Sequence, residues 1–240
     1  MGANGLMNNT SNTYVAWAWK ANSALKINTD GTIQSIVSAN QASGFSIVSY
    51  TGDGNASSTV GHGLGTIPDI TIFKTLSGTS EWNTYLTSNN TVGFLNNTTA
   101  FVSNNGGTNG SVDIANMSST TFGFLNGSSS VNNQNGNGST YIMYAFKSID
   151  GFSKFGTYTG TGTNTNTIVT GFEPAFVMIK RTDAAGGWLS LDNKRDTTNP
   201  RELFLSPNTS QAEFPVTNGA DFLENGFTMQ STKDRKSTRL

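Results

Sequence analysis

Apolar residues along this chain fall in short runs that are rich in β-branched and aromatic types and are bounded by Gly, Asn, Asp and Pro. Alternation with period two is clear near the start, where Trp17 and Trp19 share one face and Ala16 and Ala18 share the other. The pattern predicts an all-β chain. The predicted strands lie near residues 14–20, 45–50, 68–74, 82–86, 92–95, 111–115, 121–125, 140–147, 154–158, 175–180, 187–191, 202–205 and 226–231.

Two shorter signals complete this picture. Residues 25–37 predict a hairpin, because Thr29, Asp30 and Gly31 offer turn chemistry between two alternating runs. Residues 218–225 are the one place that suggests a helical turn or two, with Gly226 as its C-cap.

The pattern occurs twice along the chain. GFSIVSYTGDG at residues 44–54 returns as GFSKFGTYTGTG at residues 151–162, and GTIPDITIFK returns as GFEPAFVMIK. Trp82 and Trp188 follow these motifs at matching distance, 188 − 82 = 106 residues apart. A period of about a hundred residues suits a domain with its own core. With six to eight short strands in the first unit and five in the second, the sequence predicts two tandem β-sandwich domains that resemble jelly rolls.

The phase of this repeat leaves two alternatives open, because the aromatic strand near residues 14–20 and 141–147 either opens a unit or closes the one before. Closing is favoured, since a long hairpin separates the first aromatic strand from its GFS motif, whereas only residues 148–150 separate the second. The expected parts are then the end of a preceding repeat plus a hairpin linker (residues 1–43), a first repeat (44–147) and a truncated second repeat (151–233). If the strand opens a unit, both units are whole.

Residues 234–240, DRKSTRL, match in every codon the translation of a common sequencing adapter. We expect this tail to be an artefact and the natural gene to continue past Lys233; the alternative is an ordinary basic, solvated tail. In either case the tail carries no functional weight.

Composition narrows the classes of function. Charged residues are 12% of the chain, against about 25% in ordinary proteins. The net charge is −1 without any basic stripe, which argues against nucleic acid as a partner. The absence of cysteine excludes disulfides and thiolate metal sites. No apolar run approaches the length of a membrane span, so no membrane partner is expected, and no cofactor is implied.

Catalytic chemistry has little support in the sequence. His62 is the chain's one histidine, and the second unit has none at the matching place, so a structural role is favoured. No Asp or Glu recurs at equivalent places in the two units, as a duplicated glycosidase site would require. We therefore expect the protein not to be an enzyme.

The candidate binding residues lie in the second unit. Asp192, Lys194, Arg195 and Asp196 form the densest charge group outside the tail, and together with Trp188 they are the candidate glycan contacts. An indole face can stack on a sugar ring, and charged side chains can grip its hydroxyls. The alternatives are that the four charged residues form an ordinary solvated loop and that Trp188 is a core residue, and the sequence favours both of these alternatives.

The segments TYVAWAWKAN, NTDGTIQSIVSAN, GFSIVSYTGDG, GHGLGTIPD, YIMYAFKSIDGFSKFGTYTG and GFEPAFVMIKRTDAAGGW together resemble a repeated domain of unknown function found in virion proteins of marine tailed bacteriophages. The resemblance covers nearly all of residues 13–233 in order. It implies a structural tail protein with several β-domains in series and carries over no catalytic residue.

These observations favour a non-enzymatic structural virion protein, part of a phage tail fibre or another host-facing appendage. Its expected partners are other virion proteins, a host surface glycan and further copies of the chain, and its expected location is the phage particle. The first alternative is a carbohydrate-binding module or an extracellular bacterial surface adhesin, and a third interpretation, after these two, is a glycan-degrading enzyme.

Overall fold

The computed structural model describes residues 13–22, 24–104, 114–124 and 134–230, and within them the chain is built almost entirely of strands. The all-β prediction is confirmed. The strands are β1 (Lys26–Asn28), β2 (Ser35–Asn40), β3 (Phe45–Thr51), β4 (Thr59–Gly61), β5 (Ile70–Thr75), β6 (Asn83–Leu86), β7 (Thr91–Phe94), β8 (Val102–Ser103), β9 (Ile114–Ala115), β10 (Thr121–Phe124), β11 (Thr140–Phe146), β12 (Asn166–Val169), β13 (Phe176–Lys180), β14 (Trp188–Asp192), β15 (Arg201–Phe204), β16 (Phe214–Leu223) and β17 (Gly226–Met229). One 3₁₀ turn, Gln41–Ser43, joins β2 to β3. The tail of residues 234–240 lies outside the described residues.

The strands form four antiparallel sheets. Eight strands make the largest, in the order β1-β2-β3-β11-β5-β6-β7-β8, and β4-β10-β9 form a small sheet beside it. The later part of the chain forms a four-stranded sheet, β12-β17-β16-β15, and the pair β13-β14. The predicted hairpin at residues 25–37 is present as β1 and β2, with Asn28 paired to Ser35.

The first hydrophobic core lies between the eight-stranded sheet and the β4-β10-β9 sheet. Phe122 of β10 is fully buried, and its ring centroid lies 5.4 Å from that of Phe73 and 5.8 Å from that of Tyr50. Because Phe73 belongs to β5 and Tyr50 to β3, this one ring joins the small sheet to the middle of the large one. The two layers pack in the manner of a β-sandwich.

The aromatic strand β11 is central to the large sheet. It pairs with β3 from Thr140↔Thr51 to Phe146↔Phe45, and on its other edge with β5. Both partners precede it in the chain, which is the arrangement that the closing-strand alternative requires. The division of the chain into repeats stays a prediction.

A second, separate cluster of buried residues fills the later part of the chain. Some details there repeat those of the first part. Lys74 at the end of β5 donates a hydrogen bond to the carbonyl oxygen of Ser80, and Lys180 at the end of β13 donates one to that of Gly186 at 2.6 Å. Both pairs lie 106 residues apart (180 − 74 and 186 − 80). The β5–β6 and β13–β14 hairpins therefore use the same anchor.

Three sequence predictions differ from the structure. Residues 14–20 and 154–158 form no strand, although their alternation is good. Residues 218–225 are not helical, because most of them belong to β16, which pairs with β17 from Ala220↔Met229 to Leu223↔Gly226. Gly226 accordingly begins β17 and caps no helix.

Candidate functional site

The predicted glycan contacts lie on β14 and on the loop that joins it to β15. Trp188 begins β14, Asp192 ends it, and Lys194, Arg195 and Asp196 follow in the loop. The five residues are therefore close along the chain. Their exposure and their partners decide whether they share one open surface.

Trp188 is buried, with 6% of its surface exposed. Its indole N–H donates a 2.9 Å hydrogen bond to the carbonyl oxygen of Phe94, and its ring meets the edge of Phe101 at a centroid distance of 6.3 Å. The ammonium group of Lys180 lies 5.9 Å from its ring centroid. No ring face is left for stacking on a sugar, so this burial counts against the assignment of Trp188 as a glycan contact.

Asp192 is also buried and acts as the cap of its own turn. Its Oδ1 accepts the backbone N–H groups of Lys194 at 3.0 Å and Arg195 at 2.9 Å, and its Oδ2 accepts Nε of Arg195 at 2.7 Å. Burial would raise the pKa of this carboxyl, but the hydrogen bonds and the guanidinium charge outweigh it and lower the pKa. Arg195 in turn donates from Nη1 to Glu213 at 2.6 Å. These groups hold the loop.

Asp196 also forms its hydrogen bonds within the protein. Its Oδ2 accepts the backbone N–H groups of Glu202 at 2.5 Å and Leu203 at 3.2 Å, and its carbonyl oxygen accepts Nη1 of Arg201 at 2.7 Å. Lys194 is the one member of the predicted set that is exposed rather than buried or half-buried. The structure thus brings the five residues near one another without presenting them on a common surface.

His62 lies in the first core and is completely buried. Its Nδ1 accepts the N–H of Leu64 at 3.2 Å, so Nε2 carries the proton and faces the carbonyl oxygen of Ser118 at 3.1 Å. Burial lowers the pKa of His62 below its ordinary value, despite the opposing contact with Ser118. The ring is a neutral core group with both nitrogens occupied.

This histidine makes stability depend on pH. The unfolded chain takes up a proton near pH 6.5, whereas the folded chain resists protonation of His62. The free energy of unfolding is therefore at its full value above about pH 6.5 and falls as the pH drops below it, by at most about 1.4 kcal/mol per pH unit. In His62→Gln, whose amide nitrogen can still donate to Ser118, we expect the slope between about pH 4.5 and 6.5 to vanish.

Urea unfolding of both proteins across this pH range measures the slope. Carboxyl groups with lowered pKa values, such as Asp53, Asp69 and Asp192, lose their contribution at a lower pH, below about 4. An equal slope in the variant would show that another group titrates in place of His62.

Asparagine side chains carry structural roles that sequence reasoning missed. Asn96 accepts the backbone N–H of Trp82 at 2.9 Å, and Asn208 accepts that of Trp188 at 2.7 Å. The backbone N–H of each tryptophan, at or just before the start of its strand, is thus bound by an asparagine side-chain oxygen. The available signal was the recurrence of an asparagine some 14 to 20 residues after each tryptophan.

Asn135 is the centre of another such network. Its Oδ1 accepts the N–H of Asp53 at 2.9 Å, while its Nδ2 donates to Asp53 Oδ1 at 3.0 Å and to the carbonyl oxygen of Asn55 at 2.8 Å. Tyr50 Oη donates to the neighbouring carbonyl of Gln134 at 2.6 Å. These bonds tie the turn after β3 to the segment before β11.

An open groove of about 950 Å³ lies beside the β1–β2 hairpin. Lys20, Lys26 and Asp30 are its charged lining residues, and Asp30 already accepts a hydrogen bond from Asn28 at 2.8 Å. The lining contains neither a carboxylate pair nor a nucleophile beside a base. The groove therefore lacks the arrangement that hydrolytic chemistry requires.

Within the described residues, no group of three or more His, Cys, Asp or Glu side chains is placed to hold a metal ion. In the same part of the chain, no helix is long and apolar enough to cross a membrane.

Comparison with known proteins places the chain by family. No curated protein and no solved structure matches it. A family model described as a domain of unknown function, DUF7483, matches residues 1–239 and so spans both predicted units. The chain belongs to the DUF7483 family.

Proposed function

We propose that this chain is a non-enzymatic structural component of a virus particle, located in a phage tail fibre or another host-facing appendage. The observation that supports the proposal most is that the charged loop after β14 stabilises itself. Asp192, Arg195 and Asp196 form hydrogen bonds with groups of this loop and of the strands on either side of it, and Trp188 is buried. The chain offers a scaffold of antiparallel sheets with neutral polar connections.

We also propose that the chain arranges its β-domains in series. The Lys74 and Lys180 anchors and the Asn96 and Asn208 caps support it, because they repeat the same local construction along the chain. Domains in series make an extended stalk, and buried backbone hydrogen bonds make such a stalk resistant to proteolysis outside the cell. Its partners are then other virion proteins and further copies of the chain.

The proposal predicts that the chain is part of purified particles. Antibodies raised against the recombinant chain should label, by immunogold electron microscopy, the tail or its appendages in a phage whose genome encodes it. Particles of a phage without the gene serve as the control. Labelling confined to infected cells, with none on purified particles, would contradict the assignment.

A glycan array separates the proposal from a carbohydrate-binding module. The recombinant chain should bind no glycan through the loop after β14, so Lys194→Ala, at the exposed position of that loop, should give the same array signal as the wild type. Binding that this substitution abolishes would favour the module.

A further inference from the structure

Strand β13 pairs with β14 on one edge, and no described residue forms a ladder on its other edge. The corresponding strand of the first part, β5, is paired on both sides, with β6 and with β11. An unpaired edge presents N–H and C=O groups that another strand can bind. The second edge of β13 is therefore a place where an extended segment can add.

The chain contains a second segment of the type that covers this edge in β5. Residues 13–20 read TYVAWAWK, and residues 140–147, which include β11, read TYIMYAFK. The two agree in threonine, tyrosine, alanine and lysine at the same places, and the remaining differences exchange one aromatic or apolar residue for another. Strand β11 covers one edge of β5, and residues 14–20 have the side chains that are needed to cover the matching edge of β13 in the same way.

The structure places this segment beside the open edge. The ring centroid of Trp17 lies 5.1 Å from that of Phe176, the first residue of β13. The segment forms no strand, and 50% of Tyr14, 37% of Trp17 and 53% of Trp19 remain exposed. Trp19 also contacts Phe146 at a ring-centroid distance of 5.9 Å. More than a third of each of these three side chains nevertheless stays exposed, beside an edge of β13 that pairs with no described strand, and pairing would bury the rings together with that edge.

We propose that the outer edge of β13 is a binding site for an extended strand of alternating aromatic and small residues, and that its ligand is residues 14–20 of the same chain. The register of β11 on β5 pairs Ile142 with Lys74 and Phe146 with Ile70. Transferred to β13, it pairs Val15 with Lys180 and Trp19 with Phe176.

This register agrees with the observed ring contact. It places Trp17 opposite Met178, so that Trp17 and Phe176 are diagonal neighbours on one face. Ala16 and Ala18 then point to the other face, opposite Ile179 and Val177, which belong to the second hydrophobic cluster. In this register the two alanines face the core. The large rings cover Met178, which is 36% exposed while the segment is unpaired.

Disulfide formation tests the register, because the chain has no cysteine of its own. In the double variant Ala16→Cys, Ile179→Cys, the two thiols lie opposite each other on one face and should form a bond within one chain on oxidation. In the control, Ala16→Cys, Met178→Cys, the thiols lie on opposite faces. We expect at least about tenfold more intramolecular bond in the first pair, measured by mass spectrometry and non-reducing electrophoresis.

Three results would overturn the proposal. They are equal yields in the two pairs, no bond in the in-register pair, and a bond that joins two chains, which would assign the ligand strand to a second copy. Hydrogen exchange gives a readout that needs no new bond. In Trp17→Pro, which removes a donor from an exposed segment, the outward amides within residues 176–180 should exchange at least about tenfold faster than in the wild type. Unchanged exchange would also refute the pairing.

Discussion

Replacement of Phe122 by alanine is expected to lower the free energy of unfolding by about 3 to 5 kcal/mol. Phe122 has no exposed surface, and its ring meets Phe73, Tyr50 and Phe124 at centroid distances of 5.4, 5.8 and 5.7 Å. Truncation removes the contact between the β4-β10-β9 sheet and the centre of the large sheet, and it leaves a cavity between the two sheets. Since a typical domain is stable by only about 5 to 15 kcal/mol, a large fraction of the stability margin would be lost.

Urea unfolding followed by tryptophan fluorescence measures this loss. Phe152→Ala is the matched control, because the side chain of Phe152 is 63% exposed, and it should change the free energy of unfolding by no more than about 0.5 kcal/mol. A loss below about 1 kcal/mol for Phe122→Ala would mean that the two layers do not share this ring.

Trp188→Ala is expected to produce a loss of similar size, about 3 to 5 kcal/mol. The indole fills the space beside Phe101 and donates to the carbonyl oxygen of Phe94. Nearby, the N–H of Phe101 donates to Thr182 at 2.9 Å and that of Gly186 donates to Thr98 at 2.8 Å. The tryptophan thus stands at the contact between β1–β11 and β12–β17, and its removal should also separate their unfolding into two transitions.

Thermal and urea unfolding by two probes detect both effects. Trp82→Ala is the control at the matching place in the first part, where the ring is half-buried and stacks on Tyr144 at a centroid distance of 6.3 Å; it should cost less and leave the number of transitions unchanged. If Trp188→Ala is as stable as the wild type and loses glycan binding, the residue is a binding residue after all and the burial argument fails.

Sequence patterns found most strands but could not decide which would be paired. Residues 14–20 and β11 carry nearly the same sequence, yet β11 alone is a strand, because β3 and β5 lie on its two sides. Residues 154–158 fail for the same reason, since they match part of β3 without a described neighbour equivalent to β2 or β11. Alternation specifies a face, whereas a strand also needs a partner edge, and partners are set by distant sequence.

The helix predicted at residues 218–225 was wrong because local propensity competed with pairing. Asn218 has a φ of 53°, and a Cβ on Gly219 would lie 2.1 Å from the carbonyl oxygen of Arg201. These two residues form an irregular place in β16, where the register with β15 shifts. A polar and glycine-containing stretch of this kind is typical of a bulge as well as of a helix end, and only the neighbouring strands distinguish the two.

For the candidate site, the sequence located the charged loop but could not reveal whether its charged side chains bond within the loop or face the solvent. An aspartate that caps its own turn and an aspartate that binds a ligand have the same local sequence, as Asp192 illustrates. Trp188 follows the simpler expectation that an aromatic residue inside a strand is a core residue. The asparagine caps were hidden because asparagine is abundant throughout the chain.

The reliance on neutral contacts determines how the fold responds to its solvent. Coulombic attraction between exposed charges is screened over about 10 Å at 0.1 M salt and about 3 Å at 1 M. Hydrogen bonds between neutral amide groups, such as those from Asn135 to the carbonyl oxygen of Asn55 and from the N–H of Trp188 to Asn208, carry no net charge to be screened. With 12% charged residues in the chain, we expect the electrostatic part of its stability to change little with salt concentration.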